Sequence, residues 1–437
     1  MTTKMKDSGI EWIGEIPEEW EVKRVKYCCD TLGSGTTPES NNIDYYNGEF
    51  NWIQSGDLYK RDTIHITDKT ITQLALSTYS TLKIYCADFV VIAMYGASVG
   101  NVAISKINAC VNQACCVLTQ GKNNEVRFIY YWLVHCKDDL IQKSLGGGQP
   151  NISQQTIKNE TMLSLSLHEQ TLIANYLDEQ CGKIDSITAD IEKQIEVLEE
   201  YKKSLITETV TKGLDKTVPM KDSGIEWIGE IPEEWEVTPL KYISICNKDV
   251  LSENTNPSLT FNYVDIGSVT YEKGIQEFQE IKFEDSPSRA RRIVCLGDTL
   301  ISTVRTYLKA IAYVDETSNF IASTGFAVIS ASQRLFPKYL YYFCKSEGFI
   351  QEVDKYSYGI AYPSINTELL LKIKVSYSEY KEQTLIANYL DEKCSQIDAI
   401  ISSKKEQLNK ISEHRKSLIY EYVTGKKRVK GVHQHGN

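Results

Sequence analysis

Two segments of this 437-residue chain occur twice. The segment MKDSGIEWIGEIPEEWEV fills Met5–Val22 and returns unchanged at Met220–Val237, and EQTLIANYLDE fills Glu169–Glu179 and returns at Glu382–Glu392. Internal repetition at one period is the mark of a duplicated architecture. The residues between the copies resemble each other only in outline. The sequence therefore predicts a duplicated scaffold that carries two similar heads with different binding preferences.

A long helix is predicted at the end of each half. From Glu169 to about Thr211 the chain has no proline and one glycine, Gly182. Apolar residues recur there every seventh position, which is typical of a coiled coil. We predict helices at 169–212 and 382–424 that pack on each other, with Ile187 and Tyr201 in further seam positions. The predicted packing residues are Leu177, Ile184, Ile191, Leu198, Leu205, Leu390, Ile397, Ile411 and Leu418. Two independent amphipathic helices, each on its own domain, are the alternative.

The remainder of each half predicts a mixed domain. Short apolar, β-branched runs such as Phe89–Met94 and Thr299–Val304 predict strands, and the aromatic segments Arg127–Cys136 and Lys338–Ser346 predict helices. The expected class is α+β. The predicted parts are 1–168 (leading segment and first domain), 169–212 (central helix), 213–219 (linker), 220–381 (second leading segment and domain), 382–424 (distal helix) and 425–437 (a basic, disordered tail).

Composition narrows the functional class. The net charge of −10 argues against a protein that coats nucleic acid through bulk charge, but local patches can still read a sequence. No window approaches the ~20 apolar residues of a membrane span, and the N-terminus lacks the apolar core of a secretory signal. The twelve cysteines form no CxxC and have no histidine at ligand spacing. These features predict reduced cysteines, no metal site and a cytoplasmic location.

Motifs for catalysis are absent from the sequence. There is no GxGxxG, Walker A or HExxH pattern. The nearest approach to an amino-methyltransferase motif is Asn256–Pro257–Ser258, which lacks the second proline and the aromatic residue. The isolated carboxylates Asp57, Asp88 and Asp298 form no recognisable nuclease set. A methyltransferase or nuclease in its own right is therefore disfavoured.

The repeated leading segment SGIEWIGEIPEEWEV, the paired helix starts HEQTLIANYLDE and KEQTLIANYLDE, and the doubled order of parts resemble the specificity subunit of a type I restriction–modification enzyme. The resemblance implies two similar mixed α/β target-recognition domains separated by two long antiparallel helices, which form a coiled coil with pseudo-twofold symmetry. Each domain would read one half of an asymmetric, bipartite, double-stranded DNA site, and the helices would set the spacer.

The resemblance also implies partners. The helix pair would dock two modification (methyltransferase) subunits, and restriction (endonuclease/translocase) subunits would complete the complex. S-adenosylmethionine, ATP and magnesium are expected on those partners, with no cofactor and no catalytic residue in this chain. A two-headed coiled-coil scaffold that binds proteins rather than DNA is the alternative function.

Candidate DNA-binding residues follow from side-chain chemistry, because arginine pairs with guanine and Asn or Gln with adenine. In the second domain they are Arg289, Arg291, Arg292, Arg305, Lys309, Tyr358 and Tyr362. In the first they are Gln54, Ser55, Lys60, Arg61, Tyr95, Ser98, Asn101, Gln149 and Asn151. Tyr95 aligns with Arg305 if Asp88 is matched to Asp298. A solvated basic loop is the alternative reading of the arginines.

The tryptophans of the leading segments are predicted to be packing anchors rather than ligand contacts. They are Trp12, Trp20, Trp227 and Trp235, at equivalent positions of the two copies. Because tryptophan buries a large apolar surface and keeps one N–H donor, it suits a contact between two elements. We expect these residues to brace each head against the helix pair.

Overall fold

The chain forms two compact units, each with one head and part of both long helices. The structure, a computed structural model, describes residues 4–144, 151–317 and 319–429. The first unit comprises the residues up to Asp190 and those from Gln407 onward, and the second comprises Ile191–Glu406. We call residues 4–166 the first head and residues 213–379 the second head. No helix in the described part of the chain is long and apolar enough to span a bilayer.

The first head is built on a five-stranded sheet and a three-stranded sheet. Its strands are β1 (Met5–Asp7), β2 (Glu15–Pro17), β3 (Glu21–Arg24), β4 (Cys29–Ser34), β5 (Tyr46–Ile53), β6 (Thr63–Ile64), β7 (Thr70–Ile71), β8 (Phe89–Ala93), β9 (Val102–Ser105), β10 (Ala109–Val111), β11 (Cys115–Gln120) and β12 (Thr161–Ser164). The strand orders are β4-β11-β8-β9-β6 and β10-β5-β7, with β1-β2 and β12-β3 as separate antiparallel pairs.

The helices of the first head are divided between its two sheets. The helices α2 (Val126–His135), α3 (Lys137–Gln142) and α4 (Gln154–Asn159) pack on one face of the larger sheet, and α1 (Gln73–Thr78) packs on the three-stranded sheet. Alternate residues of a strand point to opposite faces, and Val90 and Ile92 of β8 pack in the same cluster as Phe128 of α2. Val91 packs on the other face. Burial on both faces explains why this strand reads as an unbroken apolar run.

The second head has two four-stranded sheets. Its strands are β13 (Met220–Asp222), β14 (Glu230–Pro232), β15 (Glu236–Pro239), β16 (Ser244–Cys246), β17 (Thr260–Val264), β18 (Val269–Thr270), β19 (Gly274–Ile275), β20 (Gln279–Lys282), β21 (Ala290–Ile293), β22 (Thr299–Ser302), β23 (Ile311–Tyr313), β24 (Phe320–Ser323), β25 (Phe326–Ala331) and β26 (Lys374–Tyr377). The strand orders are β16-β25-β22-β23 and β20-β17-β24-β21, with β13-β14, β15-β26 and β18-β19 as pairs.

Two long helices follow the heads. The second head also holds α6 (Pro337–Lys345), α7 (Glu347–Lys355) and α8 (Thr367–Leu370). Between the heads in sequence runs the long helix α5 (Leu167–Lys212), and α9 (Tyr380–Val423) follows the second head. The predicted strands around Val90 and Leu300 and the predicted aromatic helices are confirmed as β8, β22, α2 and α6.

The two long helices pack antiparallel within each unit. In the first unit the rings of Tyr176 and Tyr422 lie 4.4 Å apart, and Asp185 pairs with Arg415 at 3.3 Å. In the second unit Lys202 pairs with Asp398 at 2.6 Å. Residue numbers that rise along α5 are therefore paired with residue numbers that fall along α9, so the two helices run in opposite directions. The fold is α+β, with two similar mixed heads and an antiparallel coiled-coil pair, as the sequence predicted.

The nine predicted packing residues are all buried or half-buried. Leu177, Ile191, Leu205, Leu390, Ile397 and Leu418 are buried, and Ile184, Leu198 and Ile411 are half-buried. Ile187 and Tyr201 are about half exposed, so their placement in the seam was wrong. The second column of the seam instead holds Cys181, Ile195 and Ile401, which are buried. This second column lies four residues after the column of predicted packing residues, as Cys181 does after Leu177, rather than three residues after it.

The repeated sequences make the same contacts twice. The indole N–H of Trp20 donates to Glu169 at 3.1 Å, and that of Trp235 donates to Glu382 at 3.1 Å. Both indoles are almost fully buried. Each unit thus joins the leading segment of its head to the first turn of the helix that follows. Trp12 also packs on aromatic rings, and Trp227 lies against Phe343.

Polar side chains of the repeated helix start serve the same purpose. The side-chain amide of Gln170 donates to Leu165 O at 2.9 Å and Asn123 O at 3.0 Å. That of Gln383 donates to Ser378 O at 2.7 Å and Arg334 O at 3.0 Å. Because both amides are fully buried, their loss would strand backbone acceptors. This requirement accounts for the glutamine that recurs at the second position of both repeated helix starts.

The first residues of the predicted tail are ordered and contact the leading segment of the first head and the start of α5. A Cβ added at Gly425 would lie 2.7 Å from Pro17. Arg428 Nη2 lies 2.8 Å from a carboxylate oxygen of Glu19 and 2.8 Å from one of Glu169, with its guanidinium 5.7 Å from the Trp20 ring. The prediction of disorder is therefore wrong for Gly425–Val429, because a basic segment here meets an acidic and aromatic surface. Residues 430–437 lie outside the described residues.

Candidate nucleic-acid interface

The hairpin between β22 and β23 presents the strongest candidate residues of the second head. Ser302 N donates to Ala310 O at 2.9 Å and closes the hairpin. The loop then runs from Arg305, in the left-handed region at φ 53 and ψ 50, to Lys309, at φ 49 and ψ 39. One 3₁₀ turn, Thr306–Leu308, separates them. Both cationic residues therefore sit at the two ends of one short, tightly curved loop.

A second loop is fastened to this hairpin by backbone hydrogen bonds. Ile365 N donates to Thr303 O at 2.9 Å, and Thr306 N donates to Pro363 O at 3.4 Å. Tyr358 and Ser364 exchange two backbone bonds of 3.0 Å across the base of the second loop. We call residues 303–309 and 357–365 together the Arg305 tip. Two separate stretches of sequence thus form one surface.

The Arg305 tip exposes large side chains. Tyr307, Tyr358 and Tyr362 are 54%, 64% and 68% exposed, and Ile360 is fully exposed. The Arg305 guanidinium lies 5.4 Å from the centre of the Tyr362 ring. Clustered exposed aromatic and apolar residues mark interaction surfaces, and a cation over an aromatic face is attracted by it. The structure brings together four of the predicted residues here: Arg305, Lys309, Tyr358 and Tyr362.

The other predicted arginines of the second head differ in their exposure to solvent. Arg289 is exposed and close to the tip, because Thr324 N donates to its carbonyl while Thr303 N donates to the neighbouring Gly325 O. Arg291 is half-buried, 5.0 Å from the Phe283 ring. Arg292 is also half-buried, beside Cys246. Burial raises the pKa of the Cys246 thiol to about 11, although the charge of Arg292 opposes the shift.

The first head has the same hairpin with different residues. Ala93 N donates to Asn101 O at 2.9 Å, as Ser302 N does to Ala310 O, and Ile152 N donates to Met94 O at 2.7 Å, as Ile365 N does to Thr303 O. The left-handed positions are Gly96, at φ 85, and Gly100, at φ 76. These bonds match Gly96 to Arg305 and Gly100 to Lys309.

The predicted alignment of Tyr95 with Arg305 is therefore wrong by one residue. Asp88, at φ 67, corresponds to Gly297, at φ 88, because each donates its backbone N–H to the strand that closes the same hairpin. Asp298 is one position further on. Hydrogen-bond register decides the correspondence, and a shared residue type does not.

Several predicted residues of the first head are held by internal contacts. Ser98 is buried, and the Asn101 side chain donates to Leu58 O at 3.3 Å and accepts from Lys137 at 2.7 Å. Arg61 lies 3.6 Å from a carboxylate oxygen of Asp68. These contacts leave Ser98 and Asn101 little capacity to reach a base.

Other predicted residues of the first head lie at the surface. Lys60 and Asn151 are exposed, and Gln54, Ser55 and Tyr95 are half-buried. Ser55 adjoins Gly96, since a Cβ added at Gly96 would lie 4.0 Å from the Ser55 hydroxyl. Gln149 lies outside the described residues. Residues Gln54, Ser55, Tyr95 and Asn151 therefore share the end of the head that carries the Gly96 loop.

Two of the isolated carboxylates, Asp57 and Asp298, accept backbone hydrogen bonds inside the heads. Burial raises the pKa of Asp57, whose carboxylate accepts from the backbone N–H of Gln54 at 2.7 Å and of Asp68 at 3.1 Å. Asp298 accepts from Cys295 N at 2.8 Å and Ser330 at 2.6 Å. Among the described residues, no group of three or more His, Cys, Asp or Glu side chains could hold a metal ion.

Sequence reasoning missed Tyr307 and Ile360, which lie exposed on the Arg305 tip. No sequence pattern marks a residue as lying on a loop tip. Matching the two hairpins by register would have indicated Tyr307, which stands between the two left-handed positions.

Two similar heads, each with an exposed hairpin tip, on an antiparallel helix pair define a two-headed recognition protein. The chain matches the family described as type I restriction modification DNA specificity domain at residues 17–197 and again at 232–413. It belongs to this family, and it is a type I restriction–modification specificity subunit with two target-recognition domains. The scaffold alternative is not favoured.

Relatives of known class extend over nearly the whole chain. It is 25% identical over 425 residues to the type I restriction enzyme MjaVIII specificity subunit of Methanocaldococcus jannaschii, with 95% of each covered. The putative MjaX specificity subunit of the same organism is 27% identical over 451 residues, with 96% of each covered.

Solved structures support the fold. A chain from a solved type I R-M system has a TM-score of 0.72 at 14% identity and covers 94% of this chain and 99% of its own length. The HsdS subunit from Thermoanaerobacter tengcongensis has a TM-score of 0.51 at 15% identity, covering 94% and 98%.

Proposed function

We propose that each head reads one half of an asymmetric, bipartite DNA site through its hairpin tip. The observation that carries the proposal is the pair of matched hairpins with divergent residues. The two loops have the same closing bonds and the same left-handed positions, yet one offers Gly96 and Gly100 and the other Arg305 and Lys309. A conserved backbone with different side chains is what two readers of different sequences require.

The charge of the chain fits local readout rather than bulk attraction. With a net charge of −10, the isolated chain is repelled by the phosphate backbone at long range. Sequence-specific contacts by a few cationic residues can still discriminate bases. Joining two weak readers in one chain raises the affinity for a site that carries both halves, because the second contact becomes intramolecular.

The long helices set the spacer between the half-sites and dock two modification subunits. The repeated helix starts support this part of the proposal. Their buried residues contact the heads, while Glu179 and Glu392 are exposed at equivalent positions, so the same surface is offered twice. Two equal surfaces suit two copies of one partner.

Catalysis belongs to the partners in this proposal. Modification subunits supply S-adenosylmethionine-dependent methyl transfer, and restriction subunits supply ATP- and magnesium-dependent cleavage. The chain contributes recognition alone and acts in the cytoplasm, where the DNA is. DNA and both kinds of subunit are its partners.

An exchange of hairpin tips tests the proposal. Residues 94–100 (MYGASVG) and 303–309 (TVRTYLK) have equal length and equivalent closing bonds, so the first can replace the second without an insertion. In the complex with modification subunits, we expect the exchanged chain to methylate DNA with an altered second half-site and an unchanged first half-site. A matched control carries the original residues 303–309, encoded by synonymous codons. Methylation that does not depend on this chain, or on DNA sequence, would contradict the proposal.

A further inference from the structure

Arg305 and Lys309 occupy backbone conformations that disfavour them. A residue with a Cβ in the left-handed region is strained, whereas glycine is not. The first head fills the equivalent positions with Gly96 and Gly100. The hairpin therefore requires positive φ at both positions in both heads. Glycine, which adopts this conformation without strain, fills both positions in the first head but neither in the second.

The fold imposes this strain and cannot relax it locally. The Arg305 tip is closed by the bonds Ser302 N to Ala310 O and Ile365 N to Thr303 O. Thr306, the next residue, is buried. Residues kept in a costly conformation by their surroundings are concentrated at functional sites. Arginine and lysine at these positions thus indicate a role for their side chains.

The Arg305 side chain is oriented but unpaired. Its guanidinium lies 5.4 Å from the Tyr362 ring, and its residue is exposed. Among the ion pairs of the described residues, Arg127, Arg415 and Arg428 each have carboxylate partners, whereas none involves Arg305. A guanidinium held by a ring and lacking a carboxylate retains its fork of donors for a planar, bidentate acceptor.

We infer that Arg305 reads a guanine in the half-site recognised by the second head, with Tyr362 as a positioning residue and Lys309 as a phosphate contact. Guanine presents O6 and N7 in the major groove, which match the arginine fork. Tyr362 limits the orientations of the guanidinium before DNA arrives. Lys309, four residues on, carries a point charge suited to the backbone. This inference rests on the proposed function.

Single substitutions in the complex with modification subunits test the inference, because glycine tolerates the left-handed conformation. Arg305→Gly removes the side chain and the strain together. We expect it to lose about 5- to 150-fold of the preference for one G·C pair in the second half-site, the range that one bidentate pair supplies. The first half-site should keep its sequence, and the thermal midpoint of the chain should not fall.

Matched variants separate the roles. Tyr362→Phe keeps the ring and should retain the preference, while Tyr362→Leu should weaken it at the same base pair. Lys309→Gly should lower affinity equally for all sequences and reduce the salt slope by about one contact. The readout is methylation of a duplex library randomised at each position of both half-sites.

Two contrary results are distinguishable. If the wild-type complex shows a second half-site but Arg305→Gly lowers methylation equally for every sequence, the guanine assignment is wrong while the proposed function stands. If the wild-type complex has no sequence preference attributable to the second head, the proposed function fails and this inference fails with it. A fall in thermal midpoint for Arg305→Gly without a change in preference would show a structural role and overturn the assignment.

Discussion

We call the proposed setting of the spacer by the helix pair its ruler role, and this role makes a quantitative prediction. Duplicating residues 184–190 in α5 and residues 400–406 in α9 adds one native heptad to each helix. At 1.5 Å per residue, each helix lengthens by about 10.5 Å. Seven residues turn an α-helix through about 700°, within ~20° of a whole number of turns, so the seam residues stay in contact. At about 3.4 Å per base pair, the added length corresponds to about three base pairs.

Both helices must be lengthened together because they are antiparallel. Pairs such as Lys202 with Asp398 and Asp185 with Arg415 depend on a fixed register. We expect the doubly extended chain, with modification subunits, to methylate the same two half-sites at a spacer about three base pairs longer. Sequencing of methylated DNA measures both properties at once.

Two controls make the result decisive. A heptad inserted in α5 alone shifts one helix against the other and should abolish methylation. A chain with the original amino-acid sequence, expressed from a gene with synonymous codons in the same segments, should keep the original spacer. An unchanged spacer in the doubly extended, fully active chain, or altered half-sites, would refute the ruler role.

Three further predictions concern stability. Burial, then the charge of a nearby lysine, lowers the Lys345 pKa to about 8 from 10.5, so the unfolded chain binds more protons between these values. The contribution of Lys345 to the unfolding free energy should therefore rise with pH from about 8 to 10.5, by at most about 3 kcal/mol. In denaturant titrations, the unfolding free energy of the wild-type chain minus that of Lys345→Met should increase by this amount over the same pH range. Gly348→Val should destabilise the chain by about 3 kcal/mol, because a Cβ at Gly348 would lie 1.9 Å from Trp227; a normal thermal midpoint would contradict this contact. Arg428→Ala should cost about 3 kcal/mol in the same titration, because it leaves the buried Glu169 carboxylate without its cation; an unchanged unfolding free energy would contradict this ion pair.

The sequence predicted the long helices well because their determinants are local. A run without proline and with a seven-residue apolar period specifies both helix and seam, and Leu177 through Leu418 lie in or beside the contact. The placement of Ile187 was wrong because one apolar column admits two partner columns, three or four residues away. Cys181 and Cys394, at equivalent positions in the two copies, mark the column that is buried.

The sequence predicted the candidate interface less completely, because loop tips depend on tertiary contacts. Arg305, Tyr358 and Tyr362 were identified by residue type, yet their association arises from bonds between residues far apart in sequence, such as that from Ile365 N to Thr303 O. Asn101 and Ser98 had suitable chemistry but are used inside the head. The match of Gly96 to Arg305 needed hydrogen-bond register, which residue identity does not reveal.

The most direct test of the two-headed account is a methylation map. Genomic DNA from cells that contain this chain with its modification and restriction subunits is compared with DNA from cells that lack the chain alone. The account predicts a methylated site that depends on the chain and consists of two different half-sites at one fixed spacing. A continuous site, two identical half-sites, or methylation that persists without the chain would contradict it.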